Sequence, residues 1–139
     1  MPNPDAMILL LRHGQTDWNV EPVRCQGWAD VPLNEPETWR AYREHPETFR
    51  FSDGESLAEQ QRRVLACLGD VALDGRRALP VTHGGGIRLV RRFLDGRGLT
   101  AFHDGATHNG MVDEIEAGDL ARRIERFLLG KAQTTSPGG

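Results

Sequence analysis

The chain has 139 residues, a hydrophobic fraction of 38% and a formal net charge of -3. These values predict one globular domain with a single core, and they argue against membrane insertion and nucleic-acid binding, because no apolar run could cross a bilayer and the overall charge is not positive. The two cysteines, Cys25 and Cys67, show no metal-ligand spacing and no disulfide framework. We therefore expect a cytoplasmic protein.

The first predicted element is a short apolar strand, Met7 to Leu11, which ends at Arg12-His13-Gly14. A continuous apolar run of this kind is typical of a strand that is buried on both faces, and it is shorter than a signal-peptide core. From Asp17 to Glu37 the many Pro, Gly, Asn and Trp residues predict mostly loop. So long a loop indicates either a functional segment or a wrong element assignment.

The middle of the chain predicts two helices. A short helix is expected over Trp39 to Phe51, although Pro46 interrupts it. Ser56 and Glu59 have the spacing of a capping box, and apolar residues then recur at helical intervals. These signals predict a helix from about Leu57 to Leu73.

A second strand with a glycine turn follows. Leu79 to Thr82 is the predicted strand, and it ends at His83-Gly84-Gly85-Gly86. Ile87 to Leu94 then predicts an amphipathic helix, with Arg88, Arg91 and Arg92 largely outward and Gly96 beyond its end. The order of strand, glycine turn and helix is typical of an α/β fold.

The C-terminal part predicts a third strand over Met111 to Glu116, because it is rich in β-branched residues and is flanked by glycines. Leu120 to Leu129 fits a helix better than a strand, but it is short enough for either. The residues from Gln133 onward have the composition of a disordered tail.

The two strand ends carry residues that suit phosphate chemistry. The guanidinium of Arg12 can bind two phosphate oxygens at once, and the neutral imidazole of His13 can attack phosphorus. His83, at the second strand end, could contact the oxygens on which transition-state charge develops, and Gly84 lets the backbone approach an anion closely. The competing interpretation is that these are ordinary polar surface residues.

With these motifs the sequence resembles the histidine phosphatase superfamily, which is also called the phosphoglycerate-mutase-like group. The resemblance implies a reduced three-layer α/β fold, with a small mostly parallel sheet flanked by helices, and no metal or other cofactor. Four blocks that span most of the chain carry it: residues 9–19, residues 26–34, Asp53-Gly54-Glu55-Ser56-Leu57, and residues 81–86 with Asn109-Gly110.

The resemblance also implies roles for individual residues. His13 would be the nucleophile that becomes a phosphohistidine, with Arg12 and His83 holding the phosphoryl oxygens. Asn19 would touch the phosphate and Gly84 would donate a backbone amide. Gln26 and Gly27 match the loop that closes over the phosphate in this family.

The resemblance fails after the block Pro32-Leu33-Asn34-Glu35, where a long family segment is missing. That segment normally carries a second phosphate-binding arginine and the carboxylate that protonates the leaving group. We therefore expect a single domain over residues 1–131, internally shortened after about residue 35, and a disordered tail over residues 132–139. The remaining strands would be neighbours, with the strand ending at His13 between the other two.

Two classes of function remain open at this stage. The first is an enzyme that hydrolyses small phosphate esters through His13, or a mutase that returns the phosphoryl group to its substrate. The second is an impaired, phosphate-binding relative, which the missing acid and the missing arginine favour. Glu55 is the nearest family-matched carboxylate, but nothing in the sequence identifies it as the acid. Loss of the segment would also expose the sheet edge beside the strand that ends at His83. Such an edge predicts marginal stability or self-association, for example as a homodimer.

Overall fold

The structure is a computed structural model that describes residues 6–12, 36–50 and 54–133, without the side chains of residues 36–39 and 131–133. Residues 17–35 of the predicted loop from Asp17 to Glu37, and the tail beyond Gln133, lie outside these residues. Pro36 and Glu37 were wrongly assigned to the loop, because they belong to the first helix. The elements are β1 (Met7–Arg12), α1 (Pro36–Glu44), α2 (Leu57–Leu73), β2 (Val81–Thr82), α3 (Gly84–Leu94), a 3-10 turn (Leu99–Ala101), β3 (Val112–Glu116) and α4 (Ala117–Gln133).

The three strands form one small sheet in the order β2-β1-β3. The pairing of β1 with β2 is parallel and aligns Arg12 with Thr82, whereas the pairing of β1 with β3 is antiparallel and aligns Met7 with Glu116. The predicted neighbours of β1 are therefore confirmed. The α/β fold class is confirmed as well, and the strand directions add that the described sheet is mixed, with one parallel and one antiparallel pair.

The main core lies between one face of β1 and three helices. Ile8 and Leu10 are 0% and 2% exposed, and they belong to a cluster with buried apolar residues of α2, α3, α4 and β3: Leu65, Leu68, Ile87, Val90, Ile115, Leu120 and Ile124. The alternate residues of β1, such as Leu9, are only half-buried. The expectation that this strand is buried on both faces was wrong, because the described helices that contribute to this cluster cover the face of Ile8 and Leu10.

A second, smaller cluster lies beside the first. It consists of Phe49, Leu57, Leu89 and Phe102, with Tyr42 packed against it. The rings of Tyr42 and Phe102 meet edge to face, with 5.9 Å between their centroids. This cluster fixes α1 and the 3-10 turn against the middle of α3.

The two ends of α2 agree with the sequence prediction. Its N-cap is Ser56, whose side chain accepts a hydrogen bond from the Glu59 amide, while the Glu59 carboxylate accepts one from the Ser56 amide. The helix ends at Leu73, and Gly75 has a positive φ of 72° just beyond it. The predicted capping box is thus confirmed.

At one edge of the described sheet lies β2. The amides of Leu9 and Leu11 donate to the carbonyl oxygens of Ala78 and Pro80, each at 3.0 Å. Backbone groups alternate in direction along a strand, so those of Leu79 and Val81 face the open edge. The side chains of these two residues are 56% and 60% exposed. The edge itself is as expected, and self-association through it stays a prediction.

The described helices include none that is both long and apolar enough to cross a membrane. The longest, α2 and α4, have 17 residues each, and charged residues interrupt both.

The first testable prediction concerns the N-cap of α2. Ser56→Ala removes the acceptor for the Glu59 amide, so we expect the free energy of unfolding to fall by about 1 kcal/mol. Urea denaturation measures the change, with the exposed Thr100→Ala as a control that should leave the midpoint unchanged. Coincident midpoints for wild type and Ser56→Ala would show that the cap contributes nothing.

A second prediction concerns pH. The hydrogen bond from Arg50, then that from the Ser56 amide, lowers the pKa of Glu59 below its ordinary value of 4.5. Its stabilising contribution is therefore present above that value and is lost as the pH falls through the lowered pKa. Wild type should be more stable than Glu59→Gln at pH 7, and thermal melts should show the gap closing towards pH 3. A gap of constant size over this range would contradict the prediction.

Candidate active site at the ends of β1 and β2

The backbone of Arg12 is held from both sides at the end of β1. Its amide donates to the carbonyl oxygen of Met111 at 2.9 Å, and its own carbonyl accepts from the amide of Gly110 at 3.1 Å. On the other edge of β1, Arg12 is aligned with Thr82. These contacts fix where the Arg12 side chain begins.

The guanidinium of Arg12 reaches the loop that precedes β3. One terminal nitrogen donates to the carbonyl oxygen of Thr107 and lies 3.4 Å from the Thr107 hydroxyl. The Nε atom of Arg12 is buried and has no hydrogen-bond partner among the described residues. Because buried donors are nearly always paired, this nitrogen marks a place where an acceptor belongs. Sequence reasoning missed Thr107, since no motif distinguishes it.

The N-terminus of α3 packs directly against Arg12. A Cβ atom on Gly84 would lie 2.9 Å from the Thr107 hydroxyl and 3.3 Å from Cζ of Arg12, and one on Gly86 would lie 2.5 Å from the Thr82 hydroxyl. A methyl group at either position would therefore force its neighbours to shift. Gly85 has nothing within 4 Å of its own Cβ position. Two of the three glycines are thus needed for close approach, and the third faces open space.

The start of α3 corrects the sequence prediction. The helix begins at Gly84 and not at Ile87, and His83 is its N-cap without a side-chain capping bond. The first intrahelical bond runs from the amide of Ile87 to the carbonyl of His83 at 3.1 Å, so the amides of the three glycines have no acceptor within the helix. They carry the positive end of the helix dipole.

Two positive features therefore meet at this place. The guanidinium of Arg12 lies so near the start of α3 that a Cβ atom on Gly84 would be 3.3 Å from its Cζ, and like charges brought together in this way repel unless an anion lies between them. Backbone amides at a helix N-terminus are a common binding site for phosphate. The arrangement can therefore hold a phosphoryl group.

The other predicted site residues divide into two groups. His83 is exposed at the end of β2 and directly precedes Gly84, so it lies at the same end of the sheet as Arg12. His13, Asn19, Gln26 and Gly27 lie outside the described residues, and their roles stay predictions.

Three other histidines are described by the structure, and two of them have partners away from the end of β1. His103 contacts the carbonyl oxygen of Tyr42 through Nε2 at 2.8 Å, and His45 lies 3.7 Å from the Glu47 carboxylate. His108 is exposed and follows Thr107 directly. Of the three, His108 is therefore the one placed next to a contact of Arg12.

The carboxylate of Glu55 has a different partner. It forms two hydrogen bonds with the guanidinium of Arg63, at 2.6 and 3.1 Å. Both carboxylate oxygens of Glu55 therefore contact Arg63, and none of its described contacts leads to the end of β1. Within the described part of the chain, no group of three or more His, Cys, Asp or Glu side chains could hold a metal ion.

Comparison with known proteins agrees with this geometry. The profile of the histidine phosphatase superfamily (branch 1) matches residues 8–39 and 35–129, which together are most of the chain. The chain belongs to the histidine phosphatase superfamily. The two matched stretches meet at residues 35–39, where the sequence pattern predicts the internal shortening. The match includes Arg12, His13 and His83.

Two relatives show how far the similarity extends. The chain is 56% identical over 27 residues to the uncharacterized phosphatase PhoE of Bacillus subtilis, which is 19% of this chain and 14% of that protein. The structure resembles that of Bacillus stearothermophilus YhfR with a TM-score of 0.67 and 18% identity, over 80% of this chain and 91% of that one. The second comparison shows a shared fold.

The third prediction tests the close packing beside Arg12. Gly84→Ala should displace the guanidinium or the Thr107 loop, and so weaken the binding of inorganic phosphate by about tenfold or more. Isothermal titration calorimetry measures the affinity. Gly85→Ala is the matched control, because its Cβ meets nothing within 4 Å, and it should bind phosphate like wild type. Equal losses in the two variants would argue against a role specific to Gly84.

Proposed function

We propose that this protein is a phosphomonoester hydrolase that acts on a small-molecule phosphate through a phosphohistidine on His13. The observation that carries the proposal is the Arg12 guanidinium beside the N-terminus of α3, where a Cβ atom on Gly84 would lie 3.3 Å from Cζ of Arg12. Membership of the histidine phosphatase superfamily supports it. His13 follows Arg12 directly in the sequence.

The proposed reaction has two steps. The neutral imidazole of His13 attacks phosphorus, the P–N bond forms, and the P–O bond to the alcohol breaks with a proton taken up by the leaving oxygen. Water then attacks the phosphohistidine, so that inorganic phosphate leaves and the imidazole is restored. Neither step needs an oxidant or a metal ion.

The surrounding groups would stabilise the charge that develops on the phosphoryl oxygens. Arg12 offers a charged fork whose Nε has no hydrogen-bond partner among the described residues, and the amides of Gly84 and its neighbours begin α3 beside it. Donors that are already in position when the charge develops cost no reorganisation. We assign His83 to the phosphoryl oxygens, with Asn19, Gln26 and Gly27 as further phosphate contacts.

The weak point of the proposed enzyme is the proton donor. Glu55 is held by Arg63, and a general acid is typically worth roughly 100- to 10,000-fold in rate. This observation favours a second candidate, in which the site binds phosphate but turns over slowly or not at all. A mutase that returns the phosphoryl group to its substrate is the other alternative within the same chemistry.

The fourth prediction tests the phosphohistidine. Wild type, incubated with an aryl phosphate in the presence of a metal chelator, should release phosphate and form an acid-labile, base-stable phosphoenzyme. His13→Ala should lose both signals, and His83→Ala should lower the rate by roughly a hundredfold because one contact to the transition state is removed. Rapid quenching with mass spectrometry follows the phosphoenzyme.

His45→Ala is the control, since His45 is an exposed histidine paired with Glu47. It should match wild type in both signals. Phosphate binding without a phosphoenzyme would select the binding candidate, and transfer of the phosphoryl group to an added alcohol would select the mutase. Equal rates in wild type and His13→Ala would overturn the mechanism.

A further inference from the structure

Arg88 lies on the face of α3 that leads back to the candidate site. It is four residues after Gly84, and residues at this spacing share a helix face. Long side chains on a helix lean towards its N-terminus. The half-buried side chain of Arg88 therefore begins one turn along the helix face that starts at Gly84, and Gly84 lies next to Arg12.

The contacts of Arg88 differ from those of its neighbours. Arg91 pairs with Asp113 at 2.8 Å, and Arg92 pairs with Asp95 at 3.0 Å. Within residues 6–12, 36–50 and 54–133, Arg88 has no carboxylate partner, and one terminal nitrogen donates to the carbonyl oxygen of Phe102 at 3.3 Å. A neutral carbonyl does not cancel the charge, so Arg88 keeps its positive charge near the site.

The electrostatic surroundings of Arg88 agree with this picture. Burial lowers the pKa of Arg88, and the charges of Arg92, Arg12 and Arg91 lower it further, while Tyr42 acts in the opposite direction. Arginine remains charged even so. The effect of Arg12 on this pKa agrees with the placement of Arg88 one turn after Gly84. An anion bound between the two guanidinium groups would offset their repulsion.

We propose that Arg88 supplies a second guanidinium to the phosphoryl group bound beside Arg12. The inference rests on the proposed phosphate site, but not on turnover by His13. A guanidinium has five N–H donors, and the Phe102 carbonyl occupies one of those of Arg88. The others are available to phosphate oxygens, which arginine binds two at a time. Arg88 on α3 thus provides a second cation for the phosphoryl group, in addition to Arg12 at the end of β1.

The fifth prediction measures the affinity for inorganic phosphate. Arg88→Gln should weaken binding by roughly ten- to a hundredfold, because a charge-assisted hydrogen bond is lost. Arg88→Lys keeps the charge without the fork and should give an intermediate affinity. Arg91→Gln removes the same charge from the same helix, but from a residue that Asp113 already neutralises. It should bind phosphate within about twofold of wild type.

A second measurement uses the wild-type protein and so does not depend on how the variants fold. Nitrogen-15 spectra should show the Nε–H resonance of Arg88, assigned with Arg88→Lys, shifting as phosphate is added. An unmoved resonance at saturating phosphate, or a folded Arg88→Gln that binds like wild type, would overturn the role of Arg88 alone. Failure of wild type to bind phosphate would overturn both this role and the proposed site.

Discussion

The structure depends on the central position of β1. This strand is hydrogen-bonded on both edges, to β2 and to β3, and Ile8 and Leu10 anchor it in the main core. Its last residue, Arg12, therefore has a fixed backbone, and the guanidinium can only reach what the fold brings to that place. The fold brings Thr107 from one side and the beginning of α3 from the other. The position of this candidate anion site therefore follows from the order of the strands.

The sequence predicted the elements whose signals are local. The capping box at Ser56 set the start of α2, and the order of the strands followed from the family resemblance. The start of α3 was predicted three residues too late, because glycine is a poor helix former, by about 1 kcal/mol relative to alanine. Contacts with Arg12 and Thr82 explain why glycines occupy its first turn. Thr107 could not be predicted, since its contact with Arg12 spans 95 positions.

The arginines of α3 show why similar residues in one helix need separate assignments. Composition and periodicity placed Arg88, Arg91 and Arg92 together as outward-facing charges. In the structure Arg92 is buried at 8% exposure and binds the carbonyls of Ala101 and Asp104, while Arg91 pairs with β3. The three arginines differ only in their partners. Those partners lie mostly in other segments of the chain, so the pattern within α3 does not reveal them. The arginine that we propose as a phosphate ligand and the arginines with structural partners therefore lie within about one turn of each other.

The pairing of β1 has a consequence for the order in which the chain folds. Its antiparallel pairing with β3 places Met7 opposite Glu116, about a hundred residues later. Both edges of this apolar strand therefore pair with segments that are synthesised much later. During synthesis such a strand leaves the ribosome before either of its partner strands. Contacts this distant in sequence slow folding. The placement that fixes Arg12 in the native state thus leaves β1 without its strand partners while the chain is incomplete.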